Sequence, residues 1–253
     1  MNLSLDPRLF VAFLLASTRC AAWLSVSPPF QGAVPGKVRA GLALALGMAI
    51  APSLSQNPDL PVADSGAMLG SLVFQVAIGL ALGMLVNVMM QAVMAAGSMI
   101  DTFAGLTAAS IYDPTSRSTA GPMGRMYQTL GTLVLFATSG HLVLIGGLMR
   151  TFEAAPLGGF PFARSAELMT RGVGQLVLAA MQIGAPILGA LFVTELLLGL
   201  ASKAAPQLNI LVVGFSLKSI VLVMLGAAAF PLVVFAVPRL TSASVDAMWG
   251  LVR

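Results

Sequence analysis

Residues 67–112 read AMLGSLVFQVAIGLALGMLVNVMMQAVMAAGSMIDTFAGLTAASIY, and Asp101 is the one charged residue among them. Such an uninterrupted apolar stretch predicts helix in a membrane or in an apolar protein environment. As a single helix it would be about 69 Å long at ~1.5 Å per residue, more than twice the ~30 Å hydrocarbon core of a bilayer. We therefore expect the stretch either to break into a hairpin near Gly97 or to extend well beyond the membrane.

The composition of the whole chain leads to the same class of protein. Hydrophobic residues make up 58% of the 253 residues and charged residues only 9%, with a mean hydropathy of +0.94. Soluble domains carry about 25% charged residues, because their surface must be hydrated. The exterior of this chain must therefore lie largely against lipid or other apolar protein. The net charge of +4 comes from scattered basic residues without interleaved aromatic side chains, which does not indicate a nucleic-acid partner.

Loop residues divide the chain into about six apolar segments. The loops are rich in proline, glycine and aspartate, which end helices. The second segment is short and is expected to be nearer a partial span. We predict an all-α fold of hydrophobic helical hairpins and a single domain over residues 1–253. The segments are Arg8–Val26, Ala40–Leu54, Ala67–Tyr112, Met126–Met149, Gly172–Leu200 and Leu208–Val237.

Basic and acidic loop residues give an orientation for the second segment. Lys37 and Arg39 precede it, whereas Asp59 and Asp64 follow it. Because basic residues favour the cytoplasmic side of a membrane, we expect the loop containing Lys37 to lie in the cytoplasm. The N-terminus lacks the features of a signal peptide, so we expect the mature protein to start at residue 1.

Motifs of enzyme chemistry are missing from the sequence. His141 is the only histidine and Cys20 the only cysteine, which excludes an internal disulfide and a thiolate metal cluster. Gly36-Lys37 is followed by valine and lacks the glycine spacing of a phosphate-binding loop. We therefore expect no enzymatic activity, no cofactor and no bound metal.

Four ionisable residues lie inside apolar segments: Arg19, Asp101, Glu195 and Lys218. Each would cost about 2.5–3.5 kcal/mol at the middle of a bilayer, so each needs a partner, water or packed protein. Glu195 and Lys218 lie on either side of the turn at 205–207, each ~15–18 Å from it along a helix. We predict that they form an ion pair that holds a helical hairpin together. A proton relay is the alternative, but no further carboxylates continue the path.

Small residues recur four positions apart, at the spacing that lets two helix backbones approach closely. This pattern predicts tight helix packing without naming the partner helix. The pairs are Gly41 and Ala45, Ala43 and Gly47, Gly79 and Gly83, and Ala185 and Gly189.

An ordered set of motifs across nearly the whole chain resembles the FliR family of flagellar type III export proteins. The early part of that family is similar to PGKVRAGLA at 35–43 with APSL at 51–54, and its central apolar stretch and Asp-Pro loop to residues 97–114. Gly140-His141 with 156–158 resembles the next hairpin, and APQLNI at 205–210 with VGF at 213–215 resembles the most distinctive signature.

The resemblance implies a core subunit of the export gate, which assembles with FliP, FliQ and FlhB-type subunits in the bacterial inner membrane at the flagellar basal body. The helices would form hairpins of a tapered, pore-containing complex that passes unfolded export substrates, rather than a conventional membrane-spanning bundle. The central loop, about Leu106–Pro114, would contribute to a plug that closes the resting pore. Its candidate residues are Leu106, Ala108, Ile111, Tyr112, Asp113 and Pro114.

This loop departs from the family pattern in one respect. Family members tend to carry bulky aromatic residues here, whereas this chain has Ala108 and Ile111, with Tyr112 as the only aromatic residue. The departure implies a weaker or differently arranged plug.

Two other functions are compatible with these observations. The first is the counterpart of the same subunit in a virulence injectisome, which would share the fold and mechanism. The second is a small secondary transporter, which would require a substrate site at the middle of the membrane and an internal repeat. The sequence contains no convincing repeat.

Overall fold

The computed structural model describes residues 6–62, 64–107, 121–155, 157, 162–205, 207 and 209–252. Every regular element within these ranges is an α-helix, which confirms the predicted all-α class. The helices are α1 (Pro7–Val26), α2 (Pro28–Ala33), α3 (Gly36–Ser55), α4 (Ser65–Ala104), α5 (Pro122–Ala137), α6 (Gly140–Ala154), α7 (Phe162–Ala204) and α8 (Ile210–Val252).

Helix starts follow directly from the local sequence. Asp6 precedes α1, and its carboxylate accepts a hydrogen bond from the backbone N–H of Arg8 at 3.0 Å. Pro7 occupies the first helical position, where its fixed φ suits the helix and no N–H is needed. Proline also stands at the start of α2 and of α5.

The long apolar stretch forms one continuous helix, so the predicted break near Gly97 was wrong. Helix α4 passes through Gly97 without interruption and ends at Ala104, after 40 residues. A glycine inside a helix costs only about 1 kcal/mol, which neighbouring apolar helical residues easily offset. The helix is about 60 Å long, which agrees with the alternative of a helix longer than a bilayer core.

The predicted segment Met126–Met149 is divided instead. Helices α5 and α6 are separated by Thr138 and Ser139, and Ser139 has a left-handed backbone with φ of 58°. A non-glycine residue is strained in this conformation, because its Cβ approaches its own carbonyl. Neither proline nor aspartate marks this break, and the adjacent Gly140 does not distinguish it from glycines inside helices, so the loop pattern missed it.

Three other segments are longer than predicted. Helix α3 has 20 residues, so the expectation of a partial span was wrong: Lys37 and Arg39 lie in its first turn, and Pro52 is accommodated near its end. Helices α7 and α8 have 43 residues each and extend the predicted segments into more polar sequence. Charged residues at the ends of a helix can remain in water at little cost. The positions of charged residues therefore did not predict where α7 and α8 begin and end.

By length and composition, five helices of the described ranges could cross a membrane. They are Pro7–Val26, Gly36–Ser55, Ser65–Ala104, Ala166–Ala204 and Ala229–Val252. The number rises to six if the bent pair α5 and α6 is taken as one span, in agreement with the predicted six apolar segments.

The chain divides into two compact units. The first contains 1–89, 139–173 and 241–253, and the second contains 90–138 and 174–240. Each unit is assembled from separate parts of the sequence. The single domain over residues 1–253 stays a prediction.

Helix α1 is the centre of the first unit, and glycines allow its neighbours to approach it. Its Leu15 and Trp23 are fully buried. A Cβ at Gly47 of α3 would overlap Ser17, and a Cβ at Gly79 of α4 would lie 2.5 Å from the Arg19 carbonyl oxygen. Two of the four predicted small-residue faces therefore pack as expected. Among the described residues no heavy atom lies within 4 Å of a Cβ built at Gly41 or Gly189, so packing at the other two faces stays a prediction.

Candidate functional site: a central loop closed by a buried carboxylate

Asp101 holds the start of the next helix, α5. Its side chain is fully buried near the end of α4. One carboxylate oxygen, Oδ1, accepts the backbone N–H of Met123 at 3.0 Å, and Oδ2 accepts that of Gly124 at 2.8 Å. These N–H groups belong to the first turn of α5, which lacks intrahelical acceptors and carries partial positive charge. The carboxylate is therefore stabilised by charge-assisted hydrogen bonds from these two backbone N–H groups.

Glycine makes this close contact possible. A Cβ at Gly121 would lie 2.5 Å from Oδ2 of Asp101, and a Cβ at Gly97 would lie 2.5 Å from the carbonyl oxygen of Met123. A larger residue at Gly97 would therefore require movement of the α5 backbone, and a larger residue at Gly121 would displace the Asp101 carboxylate. Gly97 is thus a packing residue for α5 and not a helix break.

The carboxyl end of α4 is also defined at Asp101. The backbone N–H of Leu106 donates to the carbonyl oxygen of Asp101 at 2.9 Å, and Gly105 has a left-handed backbone with φ of 79°. This arrangement is a common way to end a helix, and glycine adopts it without strain. One residue therefore fixes the point where the chain leaves α4 and the point where it enters α5.

The segment between these two points is the candidate plug loop. Its base is closed, because Asp101 contacts both Leu106 and the turn beginning at Gly121. Leu106 is half-buried at the first of these points. The remaining candidate residues lie outside the described part of the chain: Ala108, Ile111, Tyr112, Asp113 and Pro114.

Arg19 belongs to helix α1 of the first unit. Its guanidinium is fully buried and donates to the side-chain oxygen of Gln75 at 2.6 Å. It also donates to the carbonyl oxygens of Thr151 and Ala155, at 3.3 and 2.7 Å. The ring of Phe152 lies beneath it, 4.1 Å from the guanidinium carbon.

Glu195 and Lys218 form the predicted ion pair between α7 and α8 in the second unit. Lys218 is mostly covered, with 17% of its side chain exposed, whereas 62% of the Glu195 side chain is exposed. The contact agrees with the depth argument from the turn at 205–207. Its role in holding the hairpin stays a prediction.

The sequence indicated these four charges but not the groups that satisfy two of them. The partners of Asp101 are backbone N–H groups, which a sequence pattern of side chains does not reveal. Gln75 is one of three amide side chains in the apolar run 67–112, with Asn87 and Gln91, and composition alone did not show which of them would bind Arg19. Gly121-Pro122 was a signal for the start of α5, since proline favours the first helical position.

These features define a class of protein: an all-α, membrane-type chain with apolar helices and a central loop tied at its base. Comparison with known proteins gives the family. Residues 10–243 match the family described as bacterial export proteins, family 1. The chain is 37% identical to the flagellar biosynthetic protein FliR of Escherichia coli (strain K12), over 85% of its own length and 82% of that relative.

A second FliR, from Bacillus subtilis (strain 168), is 29% identical over 99% of the chain and 97% of the relative. The Yop proteins translocation protein T of Yersinia pestis is 26% identical over 96% of the chain and 93% of the relative. The chain belongs to the FliR family of bacterial export proteins, which confirms the resemblance seen in its motifs. It is a membrane-embedded component of the flagellar export apparatus.

Proposed function

We propose that the chain is a non-enzymatic core subunit of the flagellar type III export gate in the bacterial inner membrane, at the basal body. It assembles with FliP, FliQ and FlhB-type subunits and helps to form and seal the pore through which unfolded flagellar proteins leave the cell. Residues 1–253 act as one domain in this assembly. Transport is conduction and not catalysis, and the energy is supplied elsewhere, by the proton motive force and a soluble ATPase.

The observation that carries this proposal is the closed base of the central loop. A seal must keep its attachment points while its tip yields to a passing polypeptide. Asp101 supplies such an attachment, because its carboxylate binds two backbone N–H groups of α5 and its carbonyl oxygen binds Leu106. The Asp101 side chain is buried, so water competes little for its carboxylate.

The loop acts as a gasket over Leu106–Pro114. Apolar side chains exclude water and ions while the pore is idle, since hydrating an apolar constriction is unfavourable. An unfolded polypeptide displaces them, and they return when it has passed. Alanine at 108 and isoleucine at 111 are smaller than aromatic residues, so this seal yields more easily than that of its relatives.

A replacement of 106–114 by a glycine and serine linker of equal length tests the gasket. The linker keeps the backbone contacts of Asp101 but removes the apolar side chains. We expect normal assembly in the membrane with increased leakage of potassium and increased entry of a small dye that does not cross intact membranes. The matched control replaces 158–161 in the same way, and it should leave permeability unchanged. Unchanged permeability in an assembled 106–114 variant contradicts the gasket role.

Flagellar export is favoured over the injectisome counterpart by the difference in similarity. Identity is 37% to the Escherichia coli FliR and 26% to the Yersinia pestis protein. Deleting the gene for this chain should abolish motility, and loss of virulence secretion with normal motility would support the injectisome instead.

A further inference from the structure

Arg19 links its own helix to two other elements of the first unit through one planar group. Nε donates to Gln75 of α4, whereas Nη1 and Nη2 donate to the carbonyl oxygens of Thr151 and Ala155. Arg19 itself belongs to α1. The guanidinium thus joins α1, α4 and the end of α6.

The two carbonyls belong to the last turn of α6. Thr151 lies one turn before the end, and Ala155 is the residue that caps the helix. The final carbonyl groups of a helix have no N–H partner within it and carry partial negative charge. The carbonyl oxygen of Thr151 already accepts the N–H of the capping residue Ala155, and the guanidinium adds a second hydrogen bond to it. The guanidinium also binds the carbonyl oxygen of Ala155, so it stabilises this helix end both by hydrogen bonding and by its positive charge.

The backbone of Arg19 is also held in place, by close packing against α4. Gln75 and Gly79 lie one turn apart on α4, and a Cβ at Gly79 would lie 2.5 Å from the Arg19 carbonyl oxygen and 2.8 Å from the Ala22 side chain. Helix α4 is therefore in direct contact with the backbone of α1 at this level. Phe152 covers the face of the guanidinium, which is a favourable contact for a delocalised cation.

We propose that Arg19 is a positioning residue that sets where α6 ends, through the fork of its guanidinium and not through its charge alone. The planar group presents several N–H donors in fixed directions, so it can bind an amide oxygen on one side and two carbonyl oxygens on the other. A lysine has the same charge but a compact ammonium on a flexible stem. It cannot occupy these three acceptor positions at once.

Hydrogen exchange of the backbone amides distinguishes the effect of the planar guanidinium from the effect of its positive charge. The full chain is purified together with its co-expressed partner subunits, and exchange is followed at the last turn of α6. The amide of Ala155, which donates to the carbonyl oxygen of Thr151 at 3.0 Å, is the reporter. We expect exchange at least tenfold faster in both Arg19→Lys and Arg19→Met.

Arg8→Met is the matched control. Arg8 lies on the same helix, and its Nη2 also donates to a carbonyl oxygen, that of Asn57, at 2.9 Å, but at an exposed position. Exchange at Ala155 should equal that of the native protein. Should Arg19→Met not accumulate, Gln75→Leu keeps the arginine and removes one acceptor, and we expect about threefold faster exchange.

Native exchange rates in Arg19→Lys would overturn the proposal, because the charge would then suffice. Native rates in Arg19→Met, or in Gln75→Leu where it replaces that variant, would overturn it as well. The motility of the same strains reports on the proposed export function independently of this measurement.

Discussion

At the scale of single residues, two buried charges, Asp101 and Arg19, bind backbone groups at helix ends. Asp101 accepts two N–H groups at the start of α5, and Arg19 donates to two carbonyl groups at the end of α6. In each case the sign of the side chain opposes the partial charge of the helix end. Ionisable residues in an apolar chain can thus serve helix termini without forming a path for protons.

Asp101→Ala should destabilise the protein more than the equivalent change at an exposed helix start. The substitution leaves two buried N–H groups without an acceptor, at about 1–3 kcal/mol each. Asp64 is the matched control, since its exposed carboxylate accepts the N–H of Gly66 at the start of α4 at 2.8 Å. Losing such a cap costs about 1 kcal/mol. Thermal denaturation in detergent measures both, and equal midpoints for the two variants would contradict the anchoring role of Asp101.

At the scale of elements, α4 uses its few polar side chains to hold other helices. Gln75 binds Arg19, and Asn87 donates to the carbonyl oxygen of Val26 at the end of α1 at 3.3 Å. Asp101 binds the start of α5. Apolar packing between such helices is tolerant of sliding and rotation, so directional hydrogen bonds fix their relative register.

Exchanging the charges of Glu195 and Lys218 tests the contact between α7 and α8. Glu195→Lys or Lys218→Glu alone places like charges together in an apolar hairpin, and we expect less assembled complex in the membrane. The double exchange should restore most of it. Glu167 and Arg171 are the control: they form an exposed pair within one helix, 2.6 Å apart, worth about 0.3–0.5 kcal/mol. Reversing that pair should have little effect, and failure of the double exchange to rescue would count against the predicted pair.

At the scale of the whole molecule, the chain leaves large apolar side chains uncovered. On α8, for example, Val223 is 76% and Met224 is 73% exposed. Exposed apolar patches of this kind mark contacts with lipid or with protein partners. The exposed carboxylate of Glu195 lies on the same hairpin, where lipid contact is costly, and this favours protein partners on part of the surface.

Partner dependence follows from this surface. Expressed alone, the chain should be unstable or inert, because its apolar helices are not covered by other subunits. Expressed together with the other small membrane proteins of the export gate, it should co-purify with them and resist proteolysis. Size-exclusion chromatography of both preparations in the same detergent makes the comparison. A stable monomer that transports substrate alone would instead support the secondary transporter.

Particular residues show what the sequence could and could not predict about local structure. Asp101 and Arg19 were identified because charges in apolar segments are costly, and the Glu195–Lys218 contact followed from their equal distance to a turn. The break at Ser139 was missed, and the break expected at Gly97 does not exist. A glycine can either allow a chain to bend or allow another helix to pack closely. Which of the two applies depends on whether another element lies against it in the folded structure.

The amino-acid sequence alone determined the all-α class, the apolar surface, the family and the charges that need partners. These depend on composition and on local periodicity, which each segment carries within itself. Tertiary structure alone decided that Gly97 admits α5, that Asp101 closes the central loop and that Arg19 ends α6. Apart from the local bond between Leu106 and Asp101, those roles are contacts with backbone groups 22 to 136 positions away in the chain, and the backbone hydrogen-bonding groups are nearly the same in every residue type. No local pattern of side chains can therefore specify which of them will meet.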